Sequence, residues 1–290
     1  MTLGERLFVA MQRVLPQHTL SRGVHRLARS RSRPLRSALI GAFVRSFHPN
    51  MGDALEPDPQ RYPSFNAFFT RALTPQARPI DPDPGVVVSP VDGTVSQIGY
   101  LEELSLVQAK GRNYALDALL AGAPEWTARL AGGAFATLYL APWNYHRIHM
   151  PLAGALRAAW YVPGRLFSVN AVTAAAVTGL FARNERVVCA FEEFAPAVRP
   201  FAMVLVGALF VGSIATVWHG EITPRRPRSP LALALPAAPA RLERGAEMGR
   251  FNMGSTVILL FPPGRVRWLR ELTAGSPISV GQAIGELSAA

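Results

Sequence analysis

The chain has 290 residues, 49% of them hydrophobic and 17% charged, and a net charge of +11. Length and apolar content fit a folded chain with a substantial core and exclude a disordered tail. The single cysteine, Cys189, excludes an internal disulfide and a cysteine-rich metal site, and among 30 basic residues only Lys110 is a lysine, so a lysine-bound cofactor has one place to sit.

The charge is concentrated at one end. Residues 1–48 hold nine arginines (Arg6, Arg13, Arg22, Arg26, Arg29, Arg31, Arg33, Arg36 and Arg45) against one acid, Glu5. Between them Leu3, Leu7, Phe8, Met11 and Leu15, and then Leu35, Leu39, Ile40, Phe43 and Phe47, recur at helical spacing. Such a basic amphipathic helix pair reads as a surface that lies on anionic lipid; a solvated helical face and a nucleic-acid patch are the other readings. No signal-peptide pattern follows the first arginines.

A proline-rich connection, 48–63, leads to a short helix predicted at 64–69 with Ser64 as its N-cap. From residue 78 onward the texture becomes short β-branched runs punctuated by Gly and Pro, such as Val86-Val87-Val88, Gly93-Thr94-Val95 and Thr256-Val257-Ile258-Leu259-Leu260. This predicts an antiparallel β-rich core, with helical inserts around 115–120 and 169–180. Residues 201–218 carry no charge over 18 positions, at the lower limit for a membrane span. Gly207, Gly212 and the β-branched Val204, Val206, Val211, Ile214 and Val217 instead predict two buried strands there, joined near 207–212. Segment 223–240 is of low complexity and is expected to be a mobile loop. The predicted fold is α+β: a β-rich, antiparallel, sandwich- or barrel-like domain, 51–290, behind a basic amphipathic helical segment, 1–50, that associates with membrane.

Met253-Gly254-Ser255-Thr256 precedes an aliphatic run, which suggests a tight turn feeding a buried strand. Gly254 has no Cβ, so a serine hydroxyl can approach the peptide bond on its own N-terminal side. Such a nucleophile needs a base and an orienting acid. Tyr145-His146-Arg147-Ile148-His149 offers two histidines, which share a side if the segment forms a helical turn. A third ligand at zinc spacing is missing, so no metal site is predicted. Asp92, in Pro90-Val91-Asp92-Gly93, is the candidate acid, although Asp-Gly is also a common turn pair. Spacing alone leaves open a catalytic set and ordinary turn and loop residues.

The pattern of blocks resembles the phosphatidylserine decarboxylase family, of the prokaryotic membrane-associated type. The matching pieces are Phe65-Asn66-Ala67-Phe68-Phe69-Thr70-Arg71, Ser89-Pro90-Val91-Asp92-Gly93, Lys110-Gly111-Arg112-Asn113-Tyr114, Tyr145-His146-Arg147-Ile148-His149-Met150-Pro151, Pro163-Gly164-Arg165-Leu166-Phe167, Phe181-Ala182-Arg183-Asn184-Glu185-Arg186 and Glu247-Met248-Gly249-Arg250-Phe251 through Ser255-Thr256. Two positions depart from it, Met253 for the usual leucine and Asn144 for the usual aspartate.

The resemblance implies a self-processing enzyme that cleaves between Gly254 and Ser255 into a beta chain, 1–254, and an alpha chain, 255–290, which stay together as a heterodimer. Ser255 becomes a covalent pyruvoyl group, with His149 as the base and Asp92 orienting it. The pyruvoyl carbonyl forms a Schiff base with phosphatidylserine and yields phosphatidylethanolamine and CO₂, with His146 as the proton donor. The implied setting is the cytoplasmic side of the cell membrane, held peripherally on anionic lipid, with no nucleic acid and with higher oligomers left open. A serine hydrolase using Asp92, His149 and Ser255 is the nearest rival, lowered by the lack of a Gly-x-Ser-x-Gly elbow. A basic membrane- or nucleic-acid-binding β-sandwich that stays uncleaved is the non-enzymatic rival.

Overall fold

The apolar run after position 255 sets the centre of the fold. The computed structural model of the chain describes residues 2–109, 112–194, 198–210, 213–223, 227–238, 240–253 and 256–288; Gly254, Ser255 and Lys110 lie outside the described residues. Strand Thr256–Phe261 is buried throughout and pairs antiparallel on both edges, with Ala134–Tyr139 on one side and Pro200–Val206 on the other. The sheet continues from Pro200–Val206 through Arg186–Glu193 and Gly154–Val162 to Leu231–Ala232, and from Ala134–Tyr139 through Gly93–Tyr100 to Pro277–Ile278. Its order does not close on itself among the described residues, so the core is an open antiparallel sheet rather than a barrel.

Both faces of the sheet are covered, which is why its central strand reads as a continuous apolar run. Val257, Leu259 and Phe261 pack in a core with Ile148, Met248 and Phe251, residues of a second sheet. Ile258 and Leu260 face the opposite core, with Leu116, Leu119, Trp126 and Phe181 from short helices. The inserts expected around 115–120 and 169–180 are helices Leu116–Leu120, Ala171–Ala176 and Leu180–Arg183. Residues 201–218 hold two buried strands, Pro200–Val206 and Ile214–Thr216, as the sequence predicts. No helix among the described residues is long and apolar enough to cross a membrane. Within 223–240 the strand Leu231–Ala232 pairs with Tyr161 and Trp160, so part of that segment is ordered by the sheet edge.

Three helices precede the core: α1, Leu3–Val14; α2, Gln17–Ala28; and α3, Arg33–Phe47. Thr2 and Glu5 cap α1 reciprocally, each side chain accepting the other's backbone N–H. Polar side chains help to dock α1 and α2. Gln12 is fully buried, accepting from Ser168 N at 2.7 Å and donating to Thr173 Oγ1 at 3.3 Å. Gln17 Oε1 accepts from Leu166 N at 2.9 Å, and Ser21 Oγ accepts from Phe210 N at 3.2 Å. Of the apolar stripe predicted for α1, Leu3, Leu7 and Met11 face outward, 74%, 62% and 49% exposed, while Phe8 packs against the core. The helix after the proline-rich connection is α4, Phe65–Phe69, with Ser64 Oγ accepting from Ala67 N at 3.1 Å. Phe65, Phe68 and Phe69 join Ile40 and Phe43 of α3 in a third, aromatic cluster that includes Met253.

One buried acid titrates abnormally. Glu185 accepts from Tyr161 Oη at 2.8 Å, and burial outweighs that bond and pushes its carboxyl from the ordinary 4.5 up to about 7. Between those two values the folded state keeps a proton that the unfolded chain has released, so stability falls as pH rises through that window. Glu185→Gln keeps an acceptor for Tyr161, and its stability relative to the parent protein is expected to rise by about 1–3 kcal/mol from about pH 5 to about pH 8. Urea unfolding of both proteins at the two pH values measures this; a pH-independent difference rules the burial argument out.

Candidate active site

Strand Arg147–His149 carries the histidine block, pairing antiparallel with Glu247–Phe251, the strand that leads toward Gly254. The helical turn that would put His146 and His149 on one side is not formed, because this backbone is spent on the ladder. Phe251 N donates to His146 O at 3.0 Å, and His149 N donates to Pro90 O at 2.8 Å. The two rings therefore meet different neighbours.

His149 is held by groups that sequence reasoning missed. Its Nδ1 lies 2.7 Å from Gly245 O, and a carbonyl only accepts, so Nδ1 carries the proton. Nε2 is then the lone pair, accepting from Tyr145 Oη at 3.1 Å. Burial lowers the pKa of His149 below the ordinary histidine range, against smaller upward pushes from the Gly245 bond and from Glu247. A neutral ring with a defined tautomer and a partly exposed lone pair can accept a proton.

His146 is fully buried, its ring centroid 4.1 Å from that of Phe69. Its Nδ1 donates to Asn144 O at 2.8 Å, and Asn144 Oδ1 in turn accepts from Ala141 N at 2.8 Å, which fixes the turn. Burial, with a small contribution from Arg71, pushes the His146 pKa down to about 3 against the Asn144 bond. His146 Nε2 is buried with no hydrogen-bond partner among the described residues. That atom bears a lone pair, so His146 at rest is an acceptor and not the loaded proton donor expected from sequence. Arg71 is buried beside it, with Nη2 donating to Trp143 O at 3.2 Å and with Nε and Nη1 unpartnered among the described residues.

Asp92 is buried, and its carboxylate meets Arg78 rather than histidine. Arg78 Nε donates to Asp92 Oδ1 at 2.8 Å and Nη2 to Oδ2 at 2.6 Å, and Val280 N donates to Oδ1 at 2.9 Å. No hydrogen bond joins Asp92 to His149; its charge gives that ring a small upward push. The expectation that Asp92 directly orients the base is thus corrected: the Gly245 carbonyl orients it. Gly93 is required beside Asp92, since a Cβ there would lie 2.2 Å from Tyr139 O on the neighbouring strand. Nothing in the sequence marks Arg78 as the partner, 14 residues upstream. Tyr145 and Gly245 carried no more than adjacency to the histidine and Glu247 blocks.

Two apolar cavities meet at Met253. One, of about 320 Å³, is lined by Val24, Leu27, Phe43, Phe47 and Phe65 together with Met253. The other, of about 290 Å³, is lined by Phe43, Phe69, Tyr139, Ser168 and Phe210 together with Met253. Met253 has φ +121°, a region that costs a non-glycine residue about 1–3 kcal/mol and that packing in the aromatic cluster offsets. Thr256 aligns with Tyr139 and Val206 in the central sheet, its Oγ1 buried and unpartnered among the described residues.

Comparison with known proteins bears on this site. A family model described as phosphatidylserine decarboxylase matches residues 65–286, and one described as PSD matches 7–48. The chain is 50% identical to the phosphatidylserine decarboxylase proenzyme of Bordetella avium over 284 residues, 98% of this chain and 96% of that protein. It is likewise 50% identical to the proenzyme of that name from Azotobacter vinelandii, covering 99% of this chain and 100% of the relative.

The Asp92–Arg78 pair allows a direct check. Half-buried Arg78 also bridges Asp53 at 3.0 Å, and its removal leaves the buried Asp92 carboxylate uncompensated, so Arg78→Met is expected to cost about 3 kcal/mol. Arg78→Met combined with Asp92→Asn is expected to recover a large part of that loss in chemical denaturation. Equal stabilities for the single and double variants rule out the pairing as the source.

Proposed function

Because the chain belongs to the phosphatidylserine decarboxylase family, we propose that it is made as a proenzyme that cuts its own backbone between Gly254 and Ser255 and then converts phosphatidylserine to phosphatidylethanolamine and CO₂. One observation carries the residue assignments: His149, on a strand laddered to the one that leads to that peptide bond, and His146 just before it, whose carbonyl accepts from Phe251 N, are both desolvated, neutral imidazoles. In the cutting step Ser255 Oγ attacks the Gly254 carbonyl carbon, the C–N bond breaks, and an ester replaces the amide. His149 Nε2 takes the hydroxyl proton, while Gly245 O holds Nδ1–H and keeps that lone pair aimed. Elimination across residue 255 frees the Gly254 carboxylate and leaves a dehydroalanine, whose hydrolysis consumes water, releases ammonia and leaves a pyruvoyl group at the head of 255–290.

The residues fit such a group. His146 Nε2 and Thr256 Oγ1 are buried polar atoms without partners among the described residues, the first on a ring packed against Phe69 and the second adjoining position 255 in sequence. The pyruvoyl carbonyl supplies an electron sink for the substrate amine and the departing CO₂, a task that Lys110 need not serve. In this reading His146 Nε2 picks up a proton as the substrate amine engages and returns it to the former Cα. The desolvated ring holds that proton weakly, which favours its return. Asp92, paired with Arg78, acts on His149 through charge and by anchoring the turn whose Pro90 carbonyl holds the His149 backbone.

The N-terminal segment, 1–50, is proposed as the membrane-associating part of the chain and 51–290 as the decarboxylase domain. Outward-facing Leu3, Leu7, Met11, Val14 and Leu27, with Arg6, Arg13 and Arg26 exposed among them, suit a peripheral seat on anionic lipid at the cytoplasmic face. The cavities at Met253 open a route for acyl chains from that surface. The beta chain, 1–254, and the alpha chain, 255–290, remain a heterodimer.

Intact mass and denaturing electrophoresis of the purified protein are expected to show a 36-residue fragment, 255–290, with a blocked N-terminus. Ser255→Ala is expected to stay full length and inactive. His149→Ala is expected to slow cutting by about a hundredfold or more, and His146→Ala to cut yet decarboxylate at least about a hundredfold more slowly. A parent protein active as one uncut chain refutes the proposal, and normal cutting by His149→Ala refutes that residue's role. Leu7→Ser with Val14→Ser is expected to weaken co-sedimentation with phosphatidylserine vesicles by about tenfold or more. Unchanged binding shows that another surface meets the lipid.

A further inference from the structure

The last turn of the N-terminal helices is tied to the residues that precede the scissile bond. Arg29, the C-cap of α2, donates from Nη1 to Glu221 Oε2 at 2.8 Å, and His25 Nε2 lies 2.8 Å from Glu221 Oε1. Burial pushes the Glu221 carboxyl up, but hydrogen bonds from Arg29, Ser213 and His25 outweigh it and bring it down to about 2. Arg29 Nη2 also reaches Ser213 Oγ at 3.4 Å. From Ser213 the contacts continue inward: Asn252 Nδ2 donates to Ser213 Oγ, and Asn252 N donates to Ser213 O at 2.8 Å. Asn66 Nδ2 of α4 holds Asn252 Oδ1 at 3.1 Å from the other side. Ser213 and Asn252 are both buried, so water does not compete for these bonds. Asn252 adjoins the strained Met253 and stands two residues before Gly254.

We propose that Arg29, Glu221, Ser213 and Asn252 form a positioning chain for self-cleavage, through which seating of α2 on the core fixes the approach to the Gly254-Ser255 bond. The inference rests on the self-cleaving reading above. The physical ground is that Met253 holds an unfavourable φ and must be restrained on both sides. The aromatic cluster grips its side chain, and this chain of bonds grips the backbone just before it. An intramolecular attack loses rate steeply when its geometry loosens, so releasing one grip slows cutting without touching the nucleophile or the base. None of the four residues is asked to move a proton.

The test is cell-free synthesis of the full-length chain, with the 255–290 fragment followed over time by denaturing electrophoresis. Arg29→Ala, Glu221→Ala and Ser213→Ala are each expected to slow its appearance about tenfold. Because Arg29 and Glu221 act through one contact, the double variant is expected to be no slower than the slower single one. Melting temperatures are measured for each change in the uncut Ser255→Ala background and are expected to stay close to that of Ser255→Ala alone. A parent chain that remains uncut overturns the self-cleaving reading, and this inference with it. A parent chain that is cut, with the variants cut equally fast, overturns the positioning chain alone. So does a double variant slowed by the product of the single effects, or slowing that tracks a fall in melting temperature.

Discussion

The two-sided pairing of strand Thr256–Phe261 is the constraint on which the rest of the structure depends. Six register positions bind it to Ala134–Tyr139 and five to Pro200–Val206. Five apolar side chains, Val257 to Phe261, are fully buried along it, worth on the order of 10 kcal/mol in transfer free energy. A backbone cut just before this strand leaves every one of those interactions in place. The proposed cut falls at the strand's leading end, where Tyr139 is aligned with both Thr256 and Thr94. Gly93 runs so close to Tyr139 there that any side chain at that position would force the two strands apart.

A second consequence concerns which face of the N-terminal helices is used. Burying Gln12, Gln17 and Ser21 is costly unless their polar atoms are matched, and each is matched to a backbone group of the core. Specific hydrogen bonds thus act beside the apolar contacts of Phe8, Val9 and Ala28 in docking these helices. The leucines of α1 and α2 stay at the surface among arginines, an arrangement that water alone gives no reason to keep. Leu27 of α2 joins Phe43 and Phe47 of α3 in the walls of a cavity at Met253.

Much of this was legible in the sequence because it depends on local pattern. β-branched runs located the strands, Ser64 located the start of α4, and glycines divided 201–218 into two strands instead of a membrane span. What stayed hidden depends on partners distant in sequence. The histidine block looked like a helical turn until the ladder to Glu247–Phe251, about a hundred residues away, claimed its backbone. Asp92 looked like the acid beside a base until Arg78 claimed its carboxylate. The outward turn of the α1 stripe was equally hidden, since helical periodicity reports that a face is apolar and not what covers it.

The Arg78–Asp92 pair also bears on His149, the proposed base. A bare carboxylate beside His149 would favour the imidazolium strongly and leave a ring already protonated near neutral pH. With Asp92 neutralised by a two-pronged guanidinium, desolvation dominates and the ring stays neutral, with its lone pair available. When the ring does take a proton, the Gly245 carbonyl on Nδ1 and the nearby Glu247 carboxylate are the larger stabilising terms. Glu247 is itself bridged to Arg147 at 2.8 Å, so the positive ring that forms meets a dipole and a shared charge, not a full counter-ion. Such a base accepts a proton for one step and holds it loosely, which is what a group that must act and then reset requires.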